Sequence, residues 1–482
     1  MFAQLASALK TQRTTLIVAG LFAICCGAAS TSEPQARTKF DPILRELLSP
    51  PIAKGVRLRA APAVTAPNDT EPWVDNVLYT FSGADGNSPN AITAANGAIY
   101  GTTFAGGAFN DGTVFKLVPP SAGQGAWTQS VIYSFRGSST AGVQDGANPS
   151  AAVTVDASGN VFGTTSAGGG SGCGGSGCGT AFMLAPPPNA TGTYTESILH
   201  AFAAGGDGAT PYARLTLFRG ALIGTTLNGG LFNAGTAFEI ERPSGGRTAW
   251  TQSVIHVFGA ATNGASPYAG FADRNGVLYS TTAGGGTSPY GAFGTAFALA
   301  PPARSGAAWS EHVIYSFTDF EGGFPFYDLI FDRVGNLYGT TSGGGFGGCS
   351  PFSGGCGTVF ALQPPARGSS AWTYRVLHYF SATEGYGPSS PLTSDSQGNL
   401  FGMTYAGGKY GQGIVYELQP PSLARAYWRE TIVHSATGGS DGASLFGNLI
   451  RGTGGGLIGS AGSSGGDLCK CGIIFALSPE GT

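Results

Sequence analysis

Seven short turns in this 482-residue chain carry the residues with the most evident chemistry. Asp85, Asp145, Asp207, Asn263, Glu321, Glu384 and Asp441 hold equivalent places in DGNSPNAI, DGANPSAAV, DGATPYARL, NGASPYAGF, EGGFPFYDL, EGYGPSSPL and DGASLFGNL. A ring of carboxylates at a channel mouth can hold a cation or accept hydrogen bonds from sugar hydroxyls. The same residues are good turn formers, because the carboxylate bonds the backbone two residues on, and this structural reading is the stronger. Four of the five histidines, His200, His256, His378 and His434, align with Tyr79, Tyr133 and Tyr315. Interchange with Tyr asks for an aromatic ring with a polar tip, not a general base. His312 lies three residues earlier in its own segment and is expected at the surface.

Six of the eight cysteines form close pairs, Cys173 with Cys178, Cys349 with Cys356, and Cys469 with Cys471. In an exported chain these read as disulfides pinning loops, each contributing roughly 2 kcal/mol for so short a closure. Zinc is the alternative, but the pairs belong to separate hairpins and lack a nearby His, so no metal site is expected. No cofactor is implied. The stretch NLYGTTSGGG (336–345) looks like a phosphate cradle, yet such cradles lead into a helix N-terminus with a Lys nearby. Every copy leads instead into another strand-like piece. We read it as a strand entering a hairpin, with Gly339 admitting a neighbouring backbone and Thr340 and Thr341 favouring the extended chain. No Gly-x-Ser-x-Gly elbow is followed by Asp and His in the order a nucleophilic triad of that kind needs.

The elements that position these residues repeat. Trp73, Trp127, Trp250, Trp309, Trp372 and Trp428, with Tyr194 in place of a seventh Trp, mark seven units. Each has four strand-like pieces: the turn and its DG-x-x-P sequel (strand A), LYGTT (strand B), GTVFKL (strand C) and WTQSVIYSF (strand D). Four-stranded repeats that must hide their edges radially predict an all-β, seven-bladed β-propeller. A parallel β-helix is the competing architecture, but it prefers coils shorter than these units. The repeats begin on a D strand and end on a C strand. The N-terminal strand should therefore complete the last blade and close the ring, removing two exposed edges. The loops after strands D and B then lie at one end, which is the expected binding face.

The unit F-x-G-x-DG-x-x-P … GNLYGTT-x-GG … GTVFKL-x-P, recurring over residues 71–482, resembles the Gloeobacter/Verrucomicrobia tandem repeat of exported bacterial proteins. The resemblance implies export and a propeller, and implies no activity. The last unit departs from it, with LIGSA and DGASLF lacking Thr-Thr and Pro.

Lys10 and Arg13, the apolar run 14–26 and the small residues GAAS read as a signal peptide over 1–29, followed by a leader over 30–70. A secreted or periplasmic chain with no transmembrane segment after cleavage is expected. A net charge of −3 without basic runs argues against nucleic acid. With 81 Gly yet 11% aromatic residues the chain reads as many short strands joined by Gly turns; the partner stays open, with a glycan or a cell-surface protein as candidates, and a monomer is expected. The fifth unit departs most within the mouth region, offering Asp319, Glu321, Phe324, Phe326, Tyr327 and Asp328 as binding candidates. The expected function is a non-enzymatic binding or scaffold propeller. A hydrolase or lyase acting on extracellular polysaccharide is the alternative, since paired acids drawn from different blades would leave no spacing signature.

Overall fold

The computed structural model describes residues 73–479, apart from 122–124, 138–144, 190–191, 246–248, 260–261, 289–290, 305–306, 350–353, 424 and 464–468. The expected signal peptide and leader lie outside the described residues.

The chain forms a seven-bladed propeller of antiparallel sheets. Blade 1 runs Asn87–Ala95, Ala98–Ala105, Thr113–Val118 and Thr128–Ser134 as strands A to D. The later blades repeat this order with a shorter or split strand A, as in blade 5 with Ile330–Phe331, Leu337–Thr341, Thr358–Gln363 and Thr373–Tyr379. Blade 7 receives its outer strand from the other end of the chain. Trp73–Thr80 pairs antiparallel with Ile473–Pro479, with Trp73 opposite Pro479 and Thr80 opposite Ile473. Ring closure by the N-terminal strand is therefore as expected.

Three sets of contacts lock each blade to the next, and they explain the repeated motifs. The residue before the motif Pro adopts a left-handed backbone, at Ser88, Asn148, Thr210, Ser266, Phe324 and Gly387, as does the equivalent Ser444 before Leu445 in the last blade. Its N–H then donates to the preceding blade, for example Asn148 to the Asp111 carbonyl at 2.8 Å and Phe324 to that of Phe293 at 2.9 Å. The Pro ring packs where a side chain on the motif Gly would stand. A Cβ on Gly112 would meet Pro149 at 2.6 Å, and one on Gly357 would meet Pro388 at 2.5 Å.

The first Thr of the Thr-Thr pair crosses to the next blade. Thr102 donates to the Ala151 carbonyl, Thr164 to Ala213, Thr281 to Pro325 and Thr340 to Ser390, at 3.0–3.2 Å. The second Thr stays within the blade, bonding the first Thr of strand C at 2.8 Å in the pairs Thr103/Thr113 and Thr165/Thr180. The Gly before the pair makes room for a ring, not a backbone as expected. A Cβ on Gly339 would lie 2.5 Å from Phe360 Cζ and 2.7 Å from Leu329.

The core lies largely between blades. Phe115, Phe182, Phe238, Phe297 and Phe360 of the C strands meet Phe81, Phe135, Phe202, Phe258 and Phe317 edge-on at 5.0–5.3 Å, all essentially buried. Each such ring contributes roughly 1.5–3 kcal/mol by leaving water.

Candidate functional site on the loop face

Antiparallel order places the loops between strands B and C, and the crossings from D to the next A, at the same end of the ring. The three expected disulfides, Cys173–Cys178, Cys349–Cys356 and Cys469–Cys471, are all formed in its B–C loops.

The same loops carry aromatic side chains that pack little. Phe109, Phe232 and Tyr410 hold one position after a Gly-Gly pair in blades 1, 3 and 6, with relative exposures of 43%, 61% and 47%. Phe346 follows one residue earlier in blade 5 at 57%, touching Tyr379 at 5.0 Å. Cations lie over two of the rings, Arg136 at 5.9 Å from Phe109 and Lys409 at 5.4 Å from Tyr410. The sequence reading missed this set, although the recurring Gly-Gly-x-aromatic pattern was its signal. A polar cleft of about 300 Å³ opens beside blades 6 and 7, lined by Gln412, Thr437, Ser444, Ser463 and Lys470 among others.

The fifth-blade candidates divide. Phe324 stacks near Phe326 at 6.3 Å and meets Phe293 edge-on at 5.8 Å. Phe326 continues through Tyr268 at 5.0 Å to Tyr212, 5.5 Å further on, an arc across three blades that the sequence reading also missed. Tyr268 keeps partial exposure although burial raises its hydroxyl pKa. Asp328 is engaged by Arg214 of blade 3 at 2.5 Å and accepts the Gly270 N–H at 2.6 Å. That ion pair spans blade 4 because Gly270 has no side chain, where a Cβ would stand 2.9 Å from Arg214. Tyr327 is half-buried. Burial raises the pKa of Asp319, whose carbonyl accepts the Gly345 N–H at 2.7 Å.

Glu321 belongs to a different pattern, shared with the other turn acids. Six of the seven turn residues lie within hydrogen-bond distance of the D-strand ring before them, Glu384 being the exception. Tyr79 donates to Asp85, Tyr133 to Asp145 at 3.1 Å, and Tyr315 to Glu321. His200 Nε2 lies 3.0 Å from Asp207, His256 Nε2 3.2 Å from the Asn263 amide, and His434 Nε2 3.3 Å from Asp441. The carboxylates and histidines weighed separately in the sequence are therefore partners. The second residue of the next D strand completes the junction. Tyr133 also donates to Glu196 at 2.7 Å, and Tyr374 stacks on Tyr315 at 4.1 Å while donating to the Glu321 carbonyl at 2.7 Å. Burial pushes Glu196 up to about 8, against the Tyr133 bond and with help from Asp145, and burial alone takes Glu311 to about 7. His312 is exposed, as expected.

A model of the Gloeobacter/Verrucomicrobia repeat matches residues 68–293 and again 247–475. The chain belongs to this family. No curated protein matches it. Among solved structures, the repeat protein is similar to a luciferin-regenerating enzyme (12% identity, 69% of this chain and 92% of that one, TM-score 0.38). It is also similar to a Thermus thermophilus protein described as a putative oxidoreductase (glucose dehydrogenase), at 15% identity, 68% and 96% coverage and TM-score 0.40. A third is the PQQ domain of pyranose dehydrogenase from Coprinopsis cinerea, at 12% identity, 86% and 96% coverage and TM-score 0.40. At such scores these neighbours bear on neither activity nor ligand. Among the described residues, no helix is long and apolar enough to cross a membrane.

Proposed function

We propose that this repeat protein is an exported, non-enzymatic binding propeller whose loop face takes up an extracellular ligand, glycan foremost. The observation that carries the reading is the exposed ring set Phe109, Phe232, Phe346 and Tyr410 on loops of four blades. Large apolar rings held in water contribute little to stability, and such surfaces mark sites of interaction. A flat aromatic face beside a polar rim suits the C–H face of a sugar ring. The disulfides fit an oxidising compartment, in line with a signal peptide over 1–29. A polysaccharide hydrolase would need two working carboxyls, roughly 5–10 Å apart. Of the acids named at the fifth blade, Glu321 and Asp328 are tied to Tyr315 and Arg214, which leaves Asp319 alone to support that reading.

The test is a glycan-array screen of the exported chain beside a Phe109→Ala/Phe232→Ala/Tyr410→Ala variant, with a polysaccharide-cleavage assay in parallel. Binding that the variant loses at unchanged melting temperature supports the proposal. Cleavage of any polysaccharide, or glycan binding that survives in the variant, overturns it.

A further inference from the structure

The junction between blades 5 and 6 differs in kind from the others. His378 of one D strand, Glu384 of the following turn and Glu430 of the next D strand bring one nitrogen and two carboxylate oxygens within 4.8 Å of one another. His378 Nε2 stands 3.5 Å from Glu430 Oε2, and the side chains are 16% and 8% exposed. That spacing is close to the ~3.4 Å edge of a tetrahedron with metal–ligand bonds of about 2.1 Å.

Hydrogen bonding does not account for these groups. His378 Nε2 and Glu430 Oε1 are buried with no hydrogen-bond partner. An unpartnered carboxylate oxygen at this depth is costly unless something else meets it. Glu384 is already oriented, because Ser381 Oγ donates to its Oε2 at 2.6 Å. A hydroxyl that fixes one carboxylate oxygen and leaves the other for the ion is the usual outer support of a metal ligand.

We infer that His378, Glu384 and Glu430 form a binding site for one divalent transition-metal cation, zinc by preference, which ties blade 5 to blade 6. One imidazole and two carboxylates suit zinc or manganese better than calcium, which prefers six to eight oxygens. The inference is independent of the proposed ligand face.

The repeat itself supplies the controls. Tyr stands at the His378 position in three other junctions, and Gln stands at the Glu430 position in blades 1 and 3. The experiment uses tag-free exported chain stripped with chelator, titrated with zinc chloride and then manganese chloride by calorimetry, with melting temperature as a second readout. One equivalent of zinc should bind and raise the melting temperature by about 3 °C at a hundredfold excess over Kd. His378→Tyr/Glu430→Gln should fold and lose at least a hundredfold in affinity. Glu384→Gln, a smaller change, should lose tenfold or more, and His200→Tyr should bind as the parent does. No binding of either metal by the parent chain, or binding unchanged in both junction variants, overturns the inference.

Discussion

The junctions between blades 1 and 2 and between blades 5 and 6 use the same three backbone positions and differ in whether the D-strand ring donates to the acids around it. In the first, one Tyr133 hydroxyl serves both Asp145 and Glu196, and burial pushes Glu196 up to about 8. In the second His378 faces Glu384 and Glu430, and burial, with Glu384 adding to it, drives Glu430 upward without giving it a donor. A tandem repeat therefore fixes where a polar group stands but not whether its neighbours satisfy it. A His in place of Tyr does not by itself open a junction, since His200 and His434 stand against their turn acids, but at His378 the ring nitrogen is left without a hydrogen bond.

The largest test of this comparison removes a junction altogether. Deleting residues 71–81 takes away Trp73 and Val77 from the core of blade 7 and Tyr79 from its bond to Asp85. It also leaves Ile473–Pro479 as an exposed edge. We expect the melting temperature to fall by more than about 10 °C, whereas deleting residues 31–60 should leave it unchanged. Equal melting temperatures in the two truncations would mean that the ring does not depend on this closure.

Next in size is the conversion of one junction into the other. In metal-free protein His378→Tyr/Glu430→Gln removes two buried groups that lack partners and installs a hydroxyl within reach of Glu384. Unmet polar groups cost about 1–3 kcal/mol each, so denaturant unfolding should show a gain of that order. A loss would show that the junction between blades 5 and 6 cannot accept the pattern of the others. Thr164→Val probes the lock common to most blades, since the buried Thr164 hydroxyl donates to Ala213 at 3.0 Å. It should cost about 1–2 kcal/mol by the same measurement. Blade 6 supplies its own precedent, with Met403 at that position.

Much of this architecture was legible because it is periodic. The unit boundaries, four strands per unit, the borrowed outer strand and the cysteine pairs all follow from registers that recur. Within a blade one detail was hidden, since Gly339 reads as room for a backbone until the Phe360 ring of the neighbouring strand is seen to fill it. The rest of what was hidden lies across blade boundaries. Asp328 reads as a free acid until Arg214, two blades away, is placed beside it. His378 and Glu384 stand six residues apart and were both visible, but Glu430 belongs to the next repeat, and only the angle between blades brings it near. Local pattern encodes the blade, whereas the packing of one blade on the next decides which polar groups meet. The aromatic loop set was legible in principle, as a residue type recurring after Gly-Gly.

The smallest expected effect separates protonated junctions from ionised ones by pH. Glu196 and Glu311 have pKa values raised by burial to about 8 and about 7, against 4.5 when unfolded. The folded chain therefore holds these protons more tightly than the unfolded chain. The stability they contribute is full below about pH 4.5 and drains away as pH rises, through about 7 for Glu311 and about 8 for Glu196. Arg136 opposes the Glu196 shift and Asp145 reinforces it, while the Tyr133 bond also opposes it, so the slope at that junction belongs to the group. Glu196→Gln/Glu311→Gln cannot titrate and should lose less melting temperature between pH 5 and pH 9 than the parent chain, by a few degrees. Parallel melting curves for the two proteins across that range would show that both carboxyls ionise in the folded state as freely as in water, and that the first junction is not closed by a proton.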